Sequence, residues 1–160
     1  MKNINRLIEQ IISKLKQNKQ TLSFAESCTG GQLASAFTAI SGVSSVFNGS
    51  CVTYSNEIKH LWLGVEEEIL EEHGAVSQEC VAQMLRGMSQ MAKSDYTIAV
   101  SGIAGPSGGT ALKPVGTVYI GIQTPSKQNI FHCLFQGSRQ EIQAQATTFA
   151  IEKLGKFLQI

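Results

Sequence analysis

The sequence has almost no net charge and no run of basic residues. Its 160 residues include 13 lysines and arginines against 12 aspartates and glutamates, which leaves a formal net charge of +1. A protein whose main partner is nucleic acid or an anionic membrane ordinarily carries a basic patch or stripe. The composition therefore argues against both kinds of partner.

Long apolar runs are absent as well. Every apolar stretch falls far short of the roughly 20 residues that a membrane-spanning helix needs. Residues 1–15 alternate polar and apolar side chains and lack the continuous apolar region of a secretory signal. These features predict a cytoplasmic protein. The length is typical of one domain, and we expect residues 1–160 to form a single one.

Cysteine and histidine occur without the spacings that would pair them. The four cysteines form no C-x-x-C motif, and the three histidines form no H-x-x-x-H motif. In a cytosolic chain such cysteines are free thiols, mostly buried as small apolar groups. The sequence predicts neither a disulfide framework nor a metal site.

Strand patterns alternate with helix patterns along the chain. This order, together with one hairpin near the end, predicts a layered α/β domain with a mixed sheet. The apolar face of the longest central helix is predicted at Val81, Met84, Leu85, Met88 and Met91. The predicted strands lie at 21–25, through Val52 and Tyr54, at 96–100, at 117–122 and at 130–135; the predicted helices lie near 3–17, after residue 32, after Ser55, at 66–73, after Ser77 and at 141–158.

A turn rich in small residues joins the first predicted strand to the next helix. Residues 26–31 read Glu-Ser-Cys-Thr-Gly-Gly and follow the strand at 21–25 directly. The first amides of a helix lack intrahelical partners, and glycine lets a ligand approach the backbone closely. Ser27 is therefore well placed to act as a nucleophile beside an anion site.

The same turn has simpler interpretations. Ser27 or Thr29 could merely cap the helix, and Glu26 could be either a base or a favourable charge at the helix start. Cys28 is intrinsically the better nucleophile, but no histidine lies near it in the sequence and a small buried residue is the simpler interpretation.

A lysine follows a second strand at helical spacing. In the segment 54–59, Ser55 can cap a helix, and Lys59 then leans back toward Tyr54 at the strand end. At a reference pKa near 10.4, only about one lysine in a few thousand is neutral at pH 7. Burial or a nearby cation, for which Arg139 is a candidate, must lower that pKa before Lys59 can act as a base. The alternative is a solvated lysine on a short helix.

A loop rich in glycine follows the third strand. Residues 101–110 read Ser-Gly-Ile-Ala-Gly-Pro-Ser-Gly-Gly-Thr, which matches neither the Walker A motif nor G-x-G-x-x-G. Such a loop can present several amides to a phosphate, or it can be a flexible connection. Ligands of open α/β sheets bind beyond the carboxyl ends of strands, where both this loop and the Ser27 turn are predicted.

Taken together, these segments resemble the CinA C-terminal domain family of nicotinamide-nucleotide amidohydrolases. The resemblance runs from about residue 22 to residue 154. Its motifs are Ala-Glu-Ser-Cys-Thr-Gly-Gly at 25–31, Tyr-Ser-Asn-Glu-Ile-Lys at 54–59, Gly-Ala-Val-Ser at 74–77, Ser-Gly-Ile-Ala-Gly-Pro at 101–106, Lys-Pro-Val-Gly-Thr-Val at 113–118, and 135–139. The family commonly has threonine where this chain has Ser101.

The resemblance implies a reaction and a fold. The reaction is hydrolysis of the carboxamide of nicotinamide mononucleotide to nicotinic acid mononucleotide and ammonia in pyridine-nucleotide salvage, with no metal or other cofactor. The implied fold is a three-layer α/β/α sandwich with a mixed, mostly parallel sheet of about five strands, in a homo-oligomer. Some members are fused to an N-terminal molybdopterin-binding-like domain, and we expect the stand-alone form here.

The resemblance also implies site residues. Ser27 would be the nucleophile and Lys59 the activating amine, with Tyr54 and Arg139 as supporting catalytic groups. Backbone amides near Gly30 and Gly31 are candidate oxyanion donors. The substrate-binding residues are expected to be Thr29, Gly30, Gly31, Ser101, Gly102, Gly105, Gly108 and Gly109.

Two other functions fit the same motifs. The chain could be a non-catalytic nucleotide-binding or regulatory module that keeps the pocket without turnover. It could also be a hydrolase of another amide. A non-catalytic module would release no ammonia. A panel of substrates would distinguish a hydrolase of another amide from a deamidase of the mononucleotide.

Overall fold

The computed structural model describes residues 2–160, which form helices around one five-stranded sheet. The helices are α1 (Lys2–Asn18), α2 (Gln32–Thr38), α3 (Asn56–Leu63), α4 (Glu67–His73), α5 (Gln78–Ala92) and α6 (Arg139–Phe157), with a 3₁₀ turn at Val43–Ser45. The strands are β1 (Leu22–Glu26), β2 (Phe47–Val52), β3 (Tyr96–Gly102), β4 (Thr117–Gln123) and β5 (Gln128–Leu134). Within residues 2–160, no helix is both long and apolar enough to cross a membrane.

The sheet has the strand order β2-β1-β3-β4-β5. Strand β1 pairs in parallel with both β2 and β3, whereas β4 is antiparallel to its neighbours β3 and β5. Strand β4 therefore runs against the other four strands, which share one direction. The predicted α/β fold with a mixed, mostly parallel sheet is confirmed.

Alternation along the strands sends neighbouring side chains into two separate cores. On one face Phe24 packs against Phe37 of α2, with ring centroids 5.0 Å apart, in a core that also contains α1 and α6. On the other face Ala25 belongs to a cluster formed mainly by α5. Gly121 of β4 admits α5 closely, because a Cβ there would lie 2.6 Å from Leu85 Cδ1. The sheet therefore lies between two layers of helices, which makes three layers in all.

Serine caps set the start of three helices. The side chains of Ser55 and Ser77 accept the amides of Ile58 and Cys80, as the sequence predicted. Helix α6 begins at Arg139, two residues earlier than predicted, because Ser138 and Glu141 form a capping box in which each side chain bonds the other's backbone amide.

Two sequence predictions need correction. Strand β2 ends at Val52, so Tyr54 lies beyond the strand and is exposed. The buried face of α5 includes Met84 and Met88 but not Met91, which is 53% exposed. The stripe continues instead through Ala92, four residues after Met88, which packs against the α5 cluster.

Candidate active site

The turn after β1 holds Ser27 at the carboxyl end of a central strand. The Ser27 amide donates to the Val100 carbonyl oxygen at 3.0 Å, which extends the β1–β3 pairing by one residue. The Gly30 amide donates to the Ser27 carbonyl oxygen, also at 3.0 Å, and closes the turn. Ser27 is 7% exposed and lines a cavity of about 300 Å³.

Glu26 is fully buried, and its carboxylate is occupied by the start of α2. One oxygen accepts the Thr29 hydroxyl at 2.8 Å and the Leu33 amide at 2.9 Å, and the other accepts the Ala34 amide at 3.1 Å. Gly31 occupies the N-cap position and has no side chain to do this. Of the two interpretations of Glu26, the structure supports a charge that caps the helix.

Lys59 reaches Ser27 from the first turns of α3. Its Nζ lies 3.1 Å from Ser27 Oγ and donates to the Tyr54 carbonyl oxygen at 3.0 Å. The side chain is 1% exposed, so the interpretation of Lys59 as a solvated residue on a short helix is wrong. Desolvation by this burial lowers the pKa of Lys59 below its ordinary value, although the nearby thiols of Cys80 and Cys28 act in the opposite direction.

Arg139 joins two walls of the cavity. Its Nη2 donates to the Tyr54 hydroxyl at 2.8 Å, and its Nη1 donates to the Gly105 carbonyl oxygen at 2.8 Å. The sequence led us to expect that Arg139 helps to lower the pKa of Lys59. Burial is instead the cause of that lowering, and the contacts of Arg139 fix Tyr54 against the glycine-rich loop.

Cys28 is an inert neighbour of Ser27. The thiol is buried, and desolvation raises its pKa to about 12, with the Lys59 and Arg139 charges opposing this only in part. A thiol with such a pKa is protonated at neutral pH and is a poor nucleophile. The Ser27 hydroxyl, in contrast, has the Lys59 amine within 3.1 Å.

The glycine-rich loop forms the opposite wall of the cavity. Its base is pinned to the start of β4, because the Ile103 amide donates to the Thr117 carbonyl oxygen and the Gly116 amide donates to the Ile103 carbonyl oxygen. Gly109 faces away from the cavity and packs on Val115, where a Cβ would lie 2.8 Å from the backbone nitrogen. The predicted residues that line the cavity are Ser27, Tyr54, Lys59, Ser101, Gly102, Gly105, Gly108 and Arg139.

The remaining predicted residues lie outside the cavity lining. The Thr29 hydroxyl is bound to Glu26, and the Gly30 amide is bound to the Ser27 carbonyl oxygen, so neither is directed at a ligand. Gly31 has a left-handed φ of 100° that suits the start of α2. A substrate-binding role for these three residues and Gly109 stays a prediction without support from the geometry.

Sequence reasoning missed several cavity residues. Asn56 directly follows the Ser55 cap, and in the sequence its side chain is that of an ordinary polar residue at a helix start. The motif Gly-Ala-Val-Ser at 74–77 contributes Ala75 and Val76, whose apolar side chains carry no chemical signal in the sequence. The missed lining residues are Cys28, Asn56, Ala75, Val76, Ile103, Ala104 and Ser107.

The charges of the cavity favour an anionic ligand. Among the described residues 2–160, those that line it include one arginine and one lysine and no carboxylate. Arg139 is a permanent cation, whereas burial lowers the pKa of Lys59. A ligand that carries an anionic group, such as a phosphate, fits this distribution.

The model of the CinA C-terminal domain matches residues 4–158. The chain belongs to this family. A CinA-like protein of Thermotoga neapolitana is 44% identical over 156 residues, which are 98% of this chain and 38% of the relative. A CinA-like protein of Fervidobacterium nodosum is 51% identical over 140 residues, which are 88% of this chain and 34% of the relative. The chain thus spans little more than a third of the length of these relatives.

Solved structures of similar length have the same fold. A CinA superfamily protein from Klebsiella pneumoniae superposes with a TM-score of 0.93 at 36% identity, and 98% of each chain is covered. A competence/damage inducible protein from Agrobacterium tumefaciens gives a TM-score of 0.93 at 36% identity, covering 98% of this chain and 96% of that one. The three-layer CinA fold is therefore confirmed, while the domain boundaries 1–160 stay a prediction.

Proposed function

We propose that this CinA domain hydrolyses the carboxamide of nicotinamide mononucleotide, with Ser27 as nucleophile and neutral Lys59 as base. The observation that carries the proposal is the separation of 3.1 Å between Ser27 Oγ and the buried Lys59 Nζ. The choice of substrate rests on the resemblance of the site motifs to those of nicotinamide-nucleotide amidohydrolases. In the cell this reaction would serve pyridine-nucleotide salvage.

Acylation begins with transfer of the Ser27 hydroxyl proton to Lys59 Nζ. A neutral lysine amine keeps a lone pair for that proton while one N–H bonds the Tyr54 carbonyl oxygen. Ser27 Oγ then forms a bond to the carboxamide carbon, and the carbonyl π electrons move to its oxygen. When the tetrahedral intermediate collapses, the C–N bond breaks, and the Lys59 ammonium returns its proton to the departing nitrogen, which leaves as ammonia.

Deacylation uses Ser27 and Lys59 again, with water as the nucleophile. Neutral Lys59 takes a proton from a water molecule, whose oxygen attacks the nicotinoyl-type ester carbon on Ser27. The ester C–O bond breaks, Ser27 Oγ recovers its proton from Lys59, and nicotinic acid mononucleotide is released. Each cycle therefore consumes one water molecule and returns both side chains to their starting states.

Arg139 and the glycine-rich loop supply the features that a phosphate needs. The cavity of about 300 Å³ is at the small end of the range of ligand sites, which suits a mononucleotide. Gly105, Ser107 and Gly108 line it together. Amides and a guanidinium on this wall would hold the ribose phosphate opposite the Ser27–Lys59 pair.

The test is incubation with nicotinamide mononucleotide, with ammonia and the acid product measured by chromatography. We expect turnover that falls by about 10⁴-fold or more in Ser27→Ala, as for other serine nucleophiles. Ser44→Ala is the matched control, because Ser44 is exposed on the 3₁₀ turn. Full ammonia release by Ser27→Ala would refute the mechanism.

The alternatives give different results in the same assay. Binding of the mononucleotide without ammonia would indicate a nucleotide-binding module, and faster turnover of another amide would indicate a different hydrolase. The nucleoside, which lacks the phosphate, should react more slowly than the nucleotide. Equal rates on the nucleotide and the nucleoside would show that the loop does not bind the phosphate.

We also propose that the protein is a homo-oligomer, which light scattering would test.

A further inference from the structure

Helix α6 directs three polar side chains at the nucleophile side of the molecule. Arg139, Gln143 and Thr147 follow each other at intervals of four residues and so share one face of the helix. Arg139 contacts the cavity walls, whereas Thr147 Oγ1 lies 3.0 Å from Gln32 Oε1 at the start of α2. Between them, Gln143 Nε2 donates to the Cys28 carbonyl oxygen at 2.8 Å.

The Cys28 carbonyl belongs to the second peptide unit after the Ser27 side chain. The first unit is held locally, since its Ser27 carbonyl oxygen accepts the Gly30 amide at 3.0 Å. The second is held by Gln143, from a helix 115 residues further along the chain. Because a peptide unit is planar, a bond to its carbonyl oxygen fixes the direction of the whole unit. The two bonds together orient the backbone from which Ser27 projects.

We propose that Gln143 is a positioning residue that holds the Ser27 turn so that the hydroxyl stays within reach of Lys59. This inference rests on the proposed role of Ser27 as nucleophile. A carbonyl oxygen only accepts, so the glutamine amide is needed as a donor. A displacement of about 1 Å at a reacting group can reduce the rate about 10²-fold, and the 3.1 Å separation of Ser27 Oγ from Lys59 Nζ leaves little room for it.

The test compares Gln143→Met with Gln145→Met. Methionine has nearly the shape of glutamine but donates no hydrogen bond. Gln145 is the control, because it lies on the same helix and its Nε2 donates away from the cavity, to the Gln136 carbonyl oxygen at 2.7 Å and the Glu141 carbonyl oxygen at 3.0 Å. Gln143→Met loses one side-chain bond to a backbone carbonyl and Gln145→Met loses two, so thermal unfolding of both variants checks that any loss of activity in Gln143→Met does not come from unfolding.

Steady-state kinetics give the first readout. We expect kcat to fall about 10- to 100-fold in Gln143→Met, while KM changes less than about twofold and the midpoint of the pH profile does not move. Such a result places the loss on Ser27 and leaves substrate binding and the environment of Lys59 intact. Equal kcat in the two variants, a rise in KM alone, or a shifted pH midpoint would overturn the proposal.

A second readout needs no substrate and separates the two proposals. A fluorophosphonate probe reacts when Ser27 Oγ bonds to phosphorus and fluoride leaves, and intact mass reports the adduct. Slower labelling of Gln143→Met than of Gln145→Met supports positioning even if the wild type does not deamidate the mononucleotide. Equal labelling rates contradict it even if deamidation is established. A wild-type Ser27 that neither labels nor turns over would overturn both proposals.

Discussion

Glu26→Gln tests whether the buried carboxylate is a helix cap or a base. The substitution keeps the size of the side chain and replaces one carboxylate oxygen by an amide nitrogen. The better orientation keeps the oxygen that accepts from Thr29 and Leu33 and turns the new NH₂ group toward the Ala34 amide. Two donors then face each other where a bond of 3.1 Å existed.

The expected loss is that of one hydrogen bond to a charged acceptor. Such a bond contributes about 1.5–3 kcal/mol to the free energy of unfolding. For a domain of this size each kcal/mol shifts the unfolding temperature by about 2–4 °C, so Glu26→Gln should unfold roughly 3–12 °C below the wild type. Turnover should also fall, because Thr29 and α2 frame the Ser27 turn.

Thermal unfolding followed by circular dichroism measures the effect, with Glu9→Gln as control. Glu9 is exposed on α1, so its substitution should change the unfolding temperature by less than about 2 °C. Loss of turnover without a change in unfolding temperature would refute the cap and return Glu26 to the role of a base.

Four further predictions concern Lys59, α6 and β4. Turnover should rise with pH through the lowered pKa of Lys59 and then level, because the proposed mechanism needs the neutral amine as base. Lys59→Met should be more stable than the wild type at pH 7 in urea unfolding. Because the unfolded chain binds the Lys59 proton up to its ordinary pKa of 10.5, this gain should shrink as pH approaches 10.5. Ser138→Ala should lower the free energy of unfolding by about 0.5–2 kcal/mol, measured in the same way, since the capping box of α6 is lost. Gly121→Ala should cost about 1–3 kcal/mol, because its Cβ would lie 2.6 Å from Leu85 Cδ1.

Local signals in the sequence predicted much of the fold. The serines at 55 and 77 precede apolar residues at helical spacing, and both cap helices in the structure. The position of Lys59 one turn after Ser55 was enough to direct it toward Tyr54, and its Nζ bonds the Tyr54 carbonyl oxygen. Such predictions succeed because capping and helical periodicity act over a few residues.

The parts of the site that were missed depend on contacts between distant segments. Gln143 is an ordinary polar residue of an amphipathic helix in the sequence, and only the packing of α6 beside the β1–α2 turn brings it to Cys28. Glu26 was ambiguous for a similar reason, because its partners depend on how the turn folds back over the strand end. Burial of Lys59, which decides its pKa, is likewise a property of the assembled layers.

Side chains that alternate along β1 keep the Glu26 carboxylate apart from the Lys59 amine. Glu26, the last residue of β1, turns toward α2 like Phe24, and its oxygens are occupied there. Ser27 follows and meets Lys59, whose partners are a hydroxyl and a carbonyl oxygen. A carboxylate bonded to the amine would favour its charged form and raise the pKa. No carboxylate is among these partners, so burial lowers the pKa of Lys59 without an opposing negative side chain bonded to the amine, and under the proposed mechanism this amine would accept the proton of Ser27.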